Sequence, residues 1–258
     1  MMTIYKQLPK TNCGECGLPT CLAFALKVKK AQADLSGCPY MSAAGIPAPE
    51  TDPDKKRCST YEEVSESHEK EAAATDFRET AEAIGAAYLE GPKGEEISLR
   101  VLNRTYVLQK TGLYDEKGGS PAPWMKIIVC DYIRRAGQKE LSGKWIAPGQ
   151  FPHTASHVKA FQASAEKKIA ERFRNNPEEL RQRSAEFGGY ETEGVMKADY
   201  HYRFDLLPHV PLLLAFWRPD DEFEAEVKLF ADSNAADHID IEYLGHLIEI
   251  FTAELAGE

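Results

Sequence analysis

The sequence predicts an α+β protein in which a small N-terminal module is joined to a larger domain with an antiparallel sheet and several helices. Three observations lead to this prediction. Four of the six cysteines fall within 26 residues near the N-terminus. A stretch containing four prolines follows them. The rest of the chain alternates between segments with strand periodicity and segments with helix periodicity.

The cysteine-rich module covers residues 1–40. Its cysteines follow the spacing C-x2-C-x4-C-x16-C: Cys13, Cys16, Cys21 and Cys38. Four thiolates packed this closely are typical ligands of an iron–sulfur cluster. Gly14 and Gly17 each follow a cysteine and allow backbone angles that other residues avoid. A helix is expected from about Pro19 to Ala33, with its N-terminal amides directed at a cluster. The module is therefore predicted to bind one [4Fe-4S] cluster through the four cysteines.

The segment L-P-K-T-N-C-G-E-C-G-L-P-T-C, residues 8–21, resembles the four-cysteine [4Fe-4S] domain of the corrinoid iron–sulfur protein large subunit. A similar module occurs in one of the subunits of membrane-bound ion-translocating electron-transport complexes. The resemblance covers about residues 3–40. It implies a low-potential cluster that reduces a cobalt(II) corrinoid to its cobalt(I) form, and hence a corrinoid, or a corrinoid protein, as the electron acceptor.

Two other states of the cysteines stay open. Structural zinc sites usually use two C-x2–4-C pairs, whereas here only Cys13 and Cys16 form such a pair. The second alternative is a module without metal or with disulfides. The single C-x2-C pair favours iron–sulfur over zinc.

Composition limits the compartment and the partners. The 258 residues carry a net charge of −10, which argues against nucleic acid as the main ligand. Residues 1–38 have the opposite sign of net charge, because they contain five lysines and only two acidic residues, Glu15 and Asp34. No apolar run is long enough to span a bilayer, and the N-terminus has no signal-peptide pattern. We expect a cytoplasmic protein with reduced thiols and a redox protein as partner.

Beyond the module, a proline-rich linker is predicted at 41–58 and an α+β domain at 59–258. A helix is expected from Ser59 to about Tyr88, broken near Thr75, and a short hairpin over 97–108. Further predicted helices cover 124–136, 154–173, 176–187 and 240–255. Three strands are predicted near 199–206, 212–217 and 223–229. Segments 144–151 and 207–232 resemble an uncharacterised domain-of-unknown-function family of anaerobic bacteria and archaea.

A polar strand face and aromatic loops supply weaker candidates for a cofactor site in this domain: Trp145, His201, Arg203 and His209. Alternatively, His201 and Arg203 lie on a sheet face that is exposed to solvent and bind no cofactor, and Trp145 is an ordinary packing residue. His153 and His157 have helical spacing but lack a third ligand in the sequence. Cys58 is interpreted as an incidental surface residue, and Cys130 is expected to be part of the core.

These observations lead first to a soluble electron-transfer protein rather than an enzyme. The alternative is a ligand-binding or redox-sensing module in which the cluster is structural. A third hypothesis, a cofactor-dependent enzyme using His201 and Arg203, has less support, since no catalytic triad, Walker loop or dinucleotide fingerprint occurs.

Overall fold

The structure is a computed structural model and describes residues 4–5, 8, 15–18, 20–30, 32–38, 60–91, 94–152, 154, 156–193 and 196–257. Its contacts divide the chain into two units, Met1–Lys56 and Arg57–Glu258. Cys13, Cys58, His153 and the predicted linker 41–58 lie outside the described residues. The α+β class is confirmed by the helices and two antiparallel sheets of the larger unit.

The smaller unit contains helix α1, Cys21–Lys29, and a 3-10 turn, Leu35–Gly37. Helix α1 starts at Cys21 because Thr20 caps it: Thr20 Oγ1 accepts a hydrogen bond from the Ala23 amide at 3.1 Å. The helix is shorter than the predicted 19–33 segment. Its inner face contributes three members of a small core, which consists of Leu8, Cys21, Phe24, Ala25 and Cys38.

The larger unit opens with helices α2, Thr60–Ala73, and α3, Phe77–Ala83. The predicted break near Thr75 is confirmed, because Asp76 begins a new helix by accepting the Glu79 amide at 3.0 Å. The predicted continuation to Tyr88 is wrong. Gly85 adopts a positive φ of 69°, which ends the helical path, and Tyr88 lies in the next strand.

A four-stranded antiparallel meander follows, in the order β1–β2–β3–β4. Its strands are Ala87–Gly91, Gly94–Val101, Arg104–Gln109 and Gly112–Asp115. The predicted hairpin is confirmed as the β2–β3 pair, in which Ile97 faces Leu108. Strands β1 and β4 were not predicted.

The second sheet is also antiparallel, in the order β5–β9–β8–β7–β6. Its strands are Trp145–Ile146, Tyr190–Glu191, Tyr200–Leu207, Val210–Trp217 and Glu226–Asp232, numbered β5 to β9 along the chain. The three strands predicted here are confirmed, although the last begins later than expected. Phe223 lies before β9 and is 69% exposed.

Helices cover the inner face of the second sheet. The remaining helices are α4, Pro123–Arg135; α5, Ser156–Phe173; α6, Pro177–Glu186; α7, Ala235–His238; and α8, Ile241–Ala256. The ring of Phe204 on β7 meets that of Phe251 on α8 at 4.7 Å, edge to face. One main-chain hydrogen bond, from the Leu102 amide to the Leu206 carbonyl at 2.9 Å, ties the meander to this sheet.

The β9 edge of the second sheet is closed by a side chain. The outer neighbour of β9, strand β5, has only two residues. Farther along β9, the Leu229 amide donates to Glu166 Oε1 on α5 at 3.0 Å. Lys228 Nζ lies 3.5 Å from the other carboxylate oxygen of Glu166. A helix carboxylate therefore takes the place of a further strand at this point.

Candidate functional site

The candidate iron–sulfur site lies in the smaller unit, where helix α1 brings cysteines into one core. Cys21 is the first residue of α1 and is 7% exposed. Cys38 follows the 3-10 turn and is 5% exposed. Both belong to the same buried cluster of side chains, and Cys16 packs against it half-buried. Three of the four predicted ligands thus share one apolar environment.

Local turns place these cysteines. Gly17 has φ = 77°, a conformation that side chains disfavour, so the chain can turn sharply between Cys16 and Cys21. Cys16 Sγ lies 4.0 Å from the Leu18 carbonyl oxygen. Before Cys38, the carboxylate of Asp34 accepts the Ser36 amide at 2.8 Å, which begins the 3-10 turn. Hydrogen bonding from the Ser36 side chain, together with this amide, lowers the pKa of Asp34.

The donor set fits a group that takes thiolates and prefers a site shielded from water. The positive N-terminal end of α1 lies at Cys21, where it stabilises negative charge. Within the described ranges, which omit Cys13, no three His, Cys, Asp or Glu side chains converge closely enough to hold a single metal ion. The residues that would hold a cluster are Cys16, Cys21 and Cys38, with Cys13 as the fourth.

The weaker candidates of the larger unit separate into two places. Arg203 lies on the outer face of β7, where its guanidinium is 5.9 Å from the Trp145 ring and 3.2 Å from Asp205. His201 is two residues away along the same strand, with its Nε2 buried and unpartnered within the part of the chain that the structure describes. Trp145 and Arg203 are therefore neighbours across the sheet, as one side of a polar and aromatic surface.

His209 lies elsewhere, in the turn between β7 and β8. Its ring is 5.1 Å from that of His238 at a steep angle, and its main-chain amide donates to the Tyr132 hydroxyl at 3.2 Å. Burial, together with the neighbouring His238, lowers the pKa of His209. The Tyr132 hydroxyl in turn donates to the Ile84 carbonyl at 2.8 Å. Sequence reasoning missed His238 and Tyr132, because only the fold brings these segments together.

The larger unit also contains a cleft that sequence reasoning did not find. Its volume is about 720 Å³, and it lies between the start of β3, the loop after β4, the start of α4 and the end of α8. Trp124, Met125 and Ile250 form apolar lining, while Arg104 and Glu254 form an ion pair at 2.9 Å on the polar side. No sequence motif marks these residues, which come from four separate segments.

The remaining residues considered in the sequence lie in helices of the larger unit. Cys130 is fully buried in α4, where burial raises the pKa of its thiol to about 12, so it is a core residue as expected. Trp124 packs between Tyr61 and His246, with ring centroids 4.7 and 4.0 Å away. His157 lies in helix α5.

The family matches and the buried cysteines together define an iron–sulfur protein that consists of a cysteine module and an α+β unit. Residues 8–40 match a family model described as "Putative Fe-S cluster". Residues 76–254 match the family described as domain of unknown function DUF3786, and the chain belongs to that family. Together with the relatives described below, these matches confirm both resemblances inferred from the sequence.

The two curated relatives described here each match a short segment of the chain. The corrinoid/iron-sulfur protein large subunit of Moorella thermoacetica is 63% identical over 43 residues, which are 17% of this chain and 10% of that protein. Subunit gamma of the acetyl-CoA decarbonylase/synthase complex of Methanocaldococcus jannaschii is 51% identical over 41 residues, 16% of this chain and 8% of the relative. The chain thus spans a tenth or less of the length of these two relatives. No solved structure matches the chain. Among the described helices, none is long and apolar enough to cross a membrane.

Proposed function

We propose that this protein is a one-electron carrier whose low-potential [4Fe-4S] cluster is bound by Cys13, Cys16, Cys21 and Cys38. The observation that carries the proposal is the joint burial of Cys21 and Cys38 in one core, with Cys16 packed against it, inside a segment that matches an iron–sulfur family. A bound cluster supplies reversible one-electron chemistry. A structural zinc ion is redox-inert and tetrahedral and is usually bound by two C-x2–4-C pairs, whereas this chain has one such pair.

The chain's own residues prepare the site for a negatively charged group. The N-terminal amides of α1 begin at Cys21, and the positive end of the helix dipole stabilises the added electron. Phe24 lies one turn after Cys21 and is only 2% exposed. An ideal Cβ on Gly37 would lie 3.6 Å from the Phe24 ring, so this ring reaches the residue next to Cys38 and keeps water from that side of the site.

A corrinoid on another protein is the proposed electron acceptor. This part of the proposal rests on the similarity to the corrinoid/iron-sulfur protein large subunit. The match covers only 43 residues and 10% of that relative, so we propose that the corrinoid is carried by the partner rather than by this chain.

The test is metal analysis and EPR of anaerobically purified full-length protein, compared with Cys16→Ala and Cys130→Ala variants. We expect about four irons and four sulfides per chain in the wild type, with an EPR signal that appears on reduction. Cys16→Ala should lose the signal and the electron transfer. Cys130→Ala should keep both, because Cys130 is buried in the other unit. Zinc without iron in the wild type, or unchanged electron transfer in Cys16→Ala, would refute the proposal.

A second candidate function is a ligand-binding or redox-sensing protein with a structural cluster. The cleft in the larger unit favours it, since its lining combines apolar side chains with the Arg104–Glu254 ion pair, a combination that is common in small-molecule sites. A cluster whose removal unfolds the protein, but whose reduction is not coupled to any acceptor, would support this alternative over electron transfer.

A further inference from the structure

The outer face of helix α1 combines exposed leucines with lysines. Leu22 and Leu26 are 40% and 39% exposed, and they are four residues apart, so they lie on the same side of the helix. Lys29 and Lys30 continue this row by one further turn, and Lys27 lies beside it. We call this set of five residues the α1 outer face.

The opposite face of the same helix is buried. Cys21, Phe24 and Ala25 are at most 7% exposed and belong to the core of the candidate cluster site. Helix α1 is therefore the layer between that site and the surface formed by Leu22 and Leu26. An α-helix with its side chains is about 10–12 Å across, so a molecule on the α1 outer face approaches the site through one helix only.

The charge of this face is one-sided. Helix α1 has no acidic residue, while Lys27, Lys29 and Lys30 are all exposed. A single exposed leucine needs no explanation, but two in one row, bordered by cations and backed by a buried cysteine, form a small apolar centre with a basic rim. Its complement is an apolar patch with an acidic rim.

We propose that the α1 outer face is the docking surface for an acidic one-electron carrier protein, whose redox group faces Cys21 across the helix. This inference rests on the proposed function. Leu22 and Leu26 supply the contact that excludes water, and the lysines steer the acidic partner during encounter. The carrier gives up one electron, and the cluster takes up that same electron without bond formation.

The test uses fully reduced acidic flavodoxin as the probe and the full-length, cluster-loaded protein as acceptor, with rates followed by stopped-flow absorbance. Lys29→Glu/Lys30→Glu should slow the second-order rate about tenfold or more at low salt, and the difference should shrink as salt screens the charges. Leu22→Gln/Leu26→Gln should slow it about fivefold without changing the salt dependence, since glutamine keeps the helix propensity of leucine. Lys167→Glu, at an exposed site on α5 of the other unit, is a control with one charge reversal instead of two, and it should react at the wild-type rate.

Equal iron content and equal EPR spin counts after excess dithionite establish that each variant has an intact cluster. Intact double variants that react with flavodoxin at the wild-type rate would overturn the docking surface alone. So would a Lys167→Glu variant slowed as much as Lys29→Glu/Lys30→Glu. A wild-type cluster that takes no electron from dithionite would instead overturn the proposed function.

Discussion

Glu69 on helix α2 gives the sharpest stability prediction for the larger unit. Its Oε1 accepts the main-chain amide of Leu113 on β4 at 2.8 Å, and its Oε2 lies 2.8 Å from Lys126 Nζ on α4. The side chains of Glu69 and Lys126 are only 14% and 16% exposed. One carboxylate therefore joins α2 to both the meander and α4.

Replacing Glu69 with alanine leaves two groups without a partner at once. Breaking a buried ion pair costs about 3–5 kcal/mol, and a buried amide without an acceptor costs about 1–3 kcal/mol. The two costs add to about 4–8 kcal/mol for fully buried groups, and because both charged side chains retain some contact with water we take a value just below that sum. The free energy of unfolding should fall by about 3–4 kcal/mol. Glu69→Gln keeps an acceptor for Leu113 and should cost about 1–2 kcal/mol.

Urea unfolding followed by tryptophan fluorescence measures this change, because all three tryptophans lie in the larger unit. Glu71→Ala is the control on the same helix: its contact with Arg134 is 3.4 Å long, and the two side chains are 51% and 37% exposed. That exposed pair should contribute less than about 1 kcal/mol. If Glu69→Ala costs no more than Glu71→Ala, the carboxylate does not join these elements.

Two further predictions concern His209 and the residues around its neighbour His238. The pKa of His209 is lowered from 6.5, so the unfolded chain binds more protons there, and stability should fall as pH drops below about 6.5. The urea midpoint of His209→Gln should show a weaker decline between pH 7.5 and 5; an unchanged decline would assign it to other groups. Gly137→Ala should destabilise by about 1–3 kcal/mol, because its Cβ would lie 2.6 Å from His238 Nδ1 and 2.7 Å from a main-chain oxygen of α7. In Gly91→Ala the nearest atom is 3.5 Å away, so thermal unfolding should separate the two variants, and equal melting temperatures would contradict the crowding.

Much of the fold was predictable where one periodicity extends over a whole element. Strand β7 alternates buried Tyr202, Phe204 and Leu206 with polar neighbours, and the C-terminal helix α8 begins at its capping Asp240. Strand β1 was missed because residues around Tyr88 continue an alanine- and glutamate-rich helical pattern. The stop signal was Gly85, whose positive φ allows the chain to turn before the strand.

The candidate site was predictable only in its ligand types. Thiolates at short spacing predict metal chemistry from sequence because residues close in the chain are necessarily close in space. The pairing of His209 with His238, and of Trp145 with Arg203, depends on segments that only tertiary folding brings together. No local pattern encodes such distances, so the sequence named Trp145 and Arg203 without pairing them, and named His209 without its neighbour His238. The roles assigned to Trp145, His201, Arg203 and His209 stay predictions.

The carboxylate of Glu166 has a consequence for how the protein behaves at high concentration. A sheet edge with unpaired amides is a template on which another chain can add a strand, and this is a common route to aggregation. At Leu229 that amide is already bonded to Glu166, and Lys228 places a charge beside it. An incoming strand would have to displace both groups before it could pair there. One buried acid thus serves as a barrier to self-assembly as well as a support for the fold.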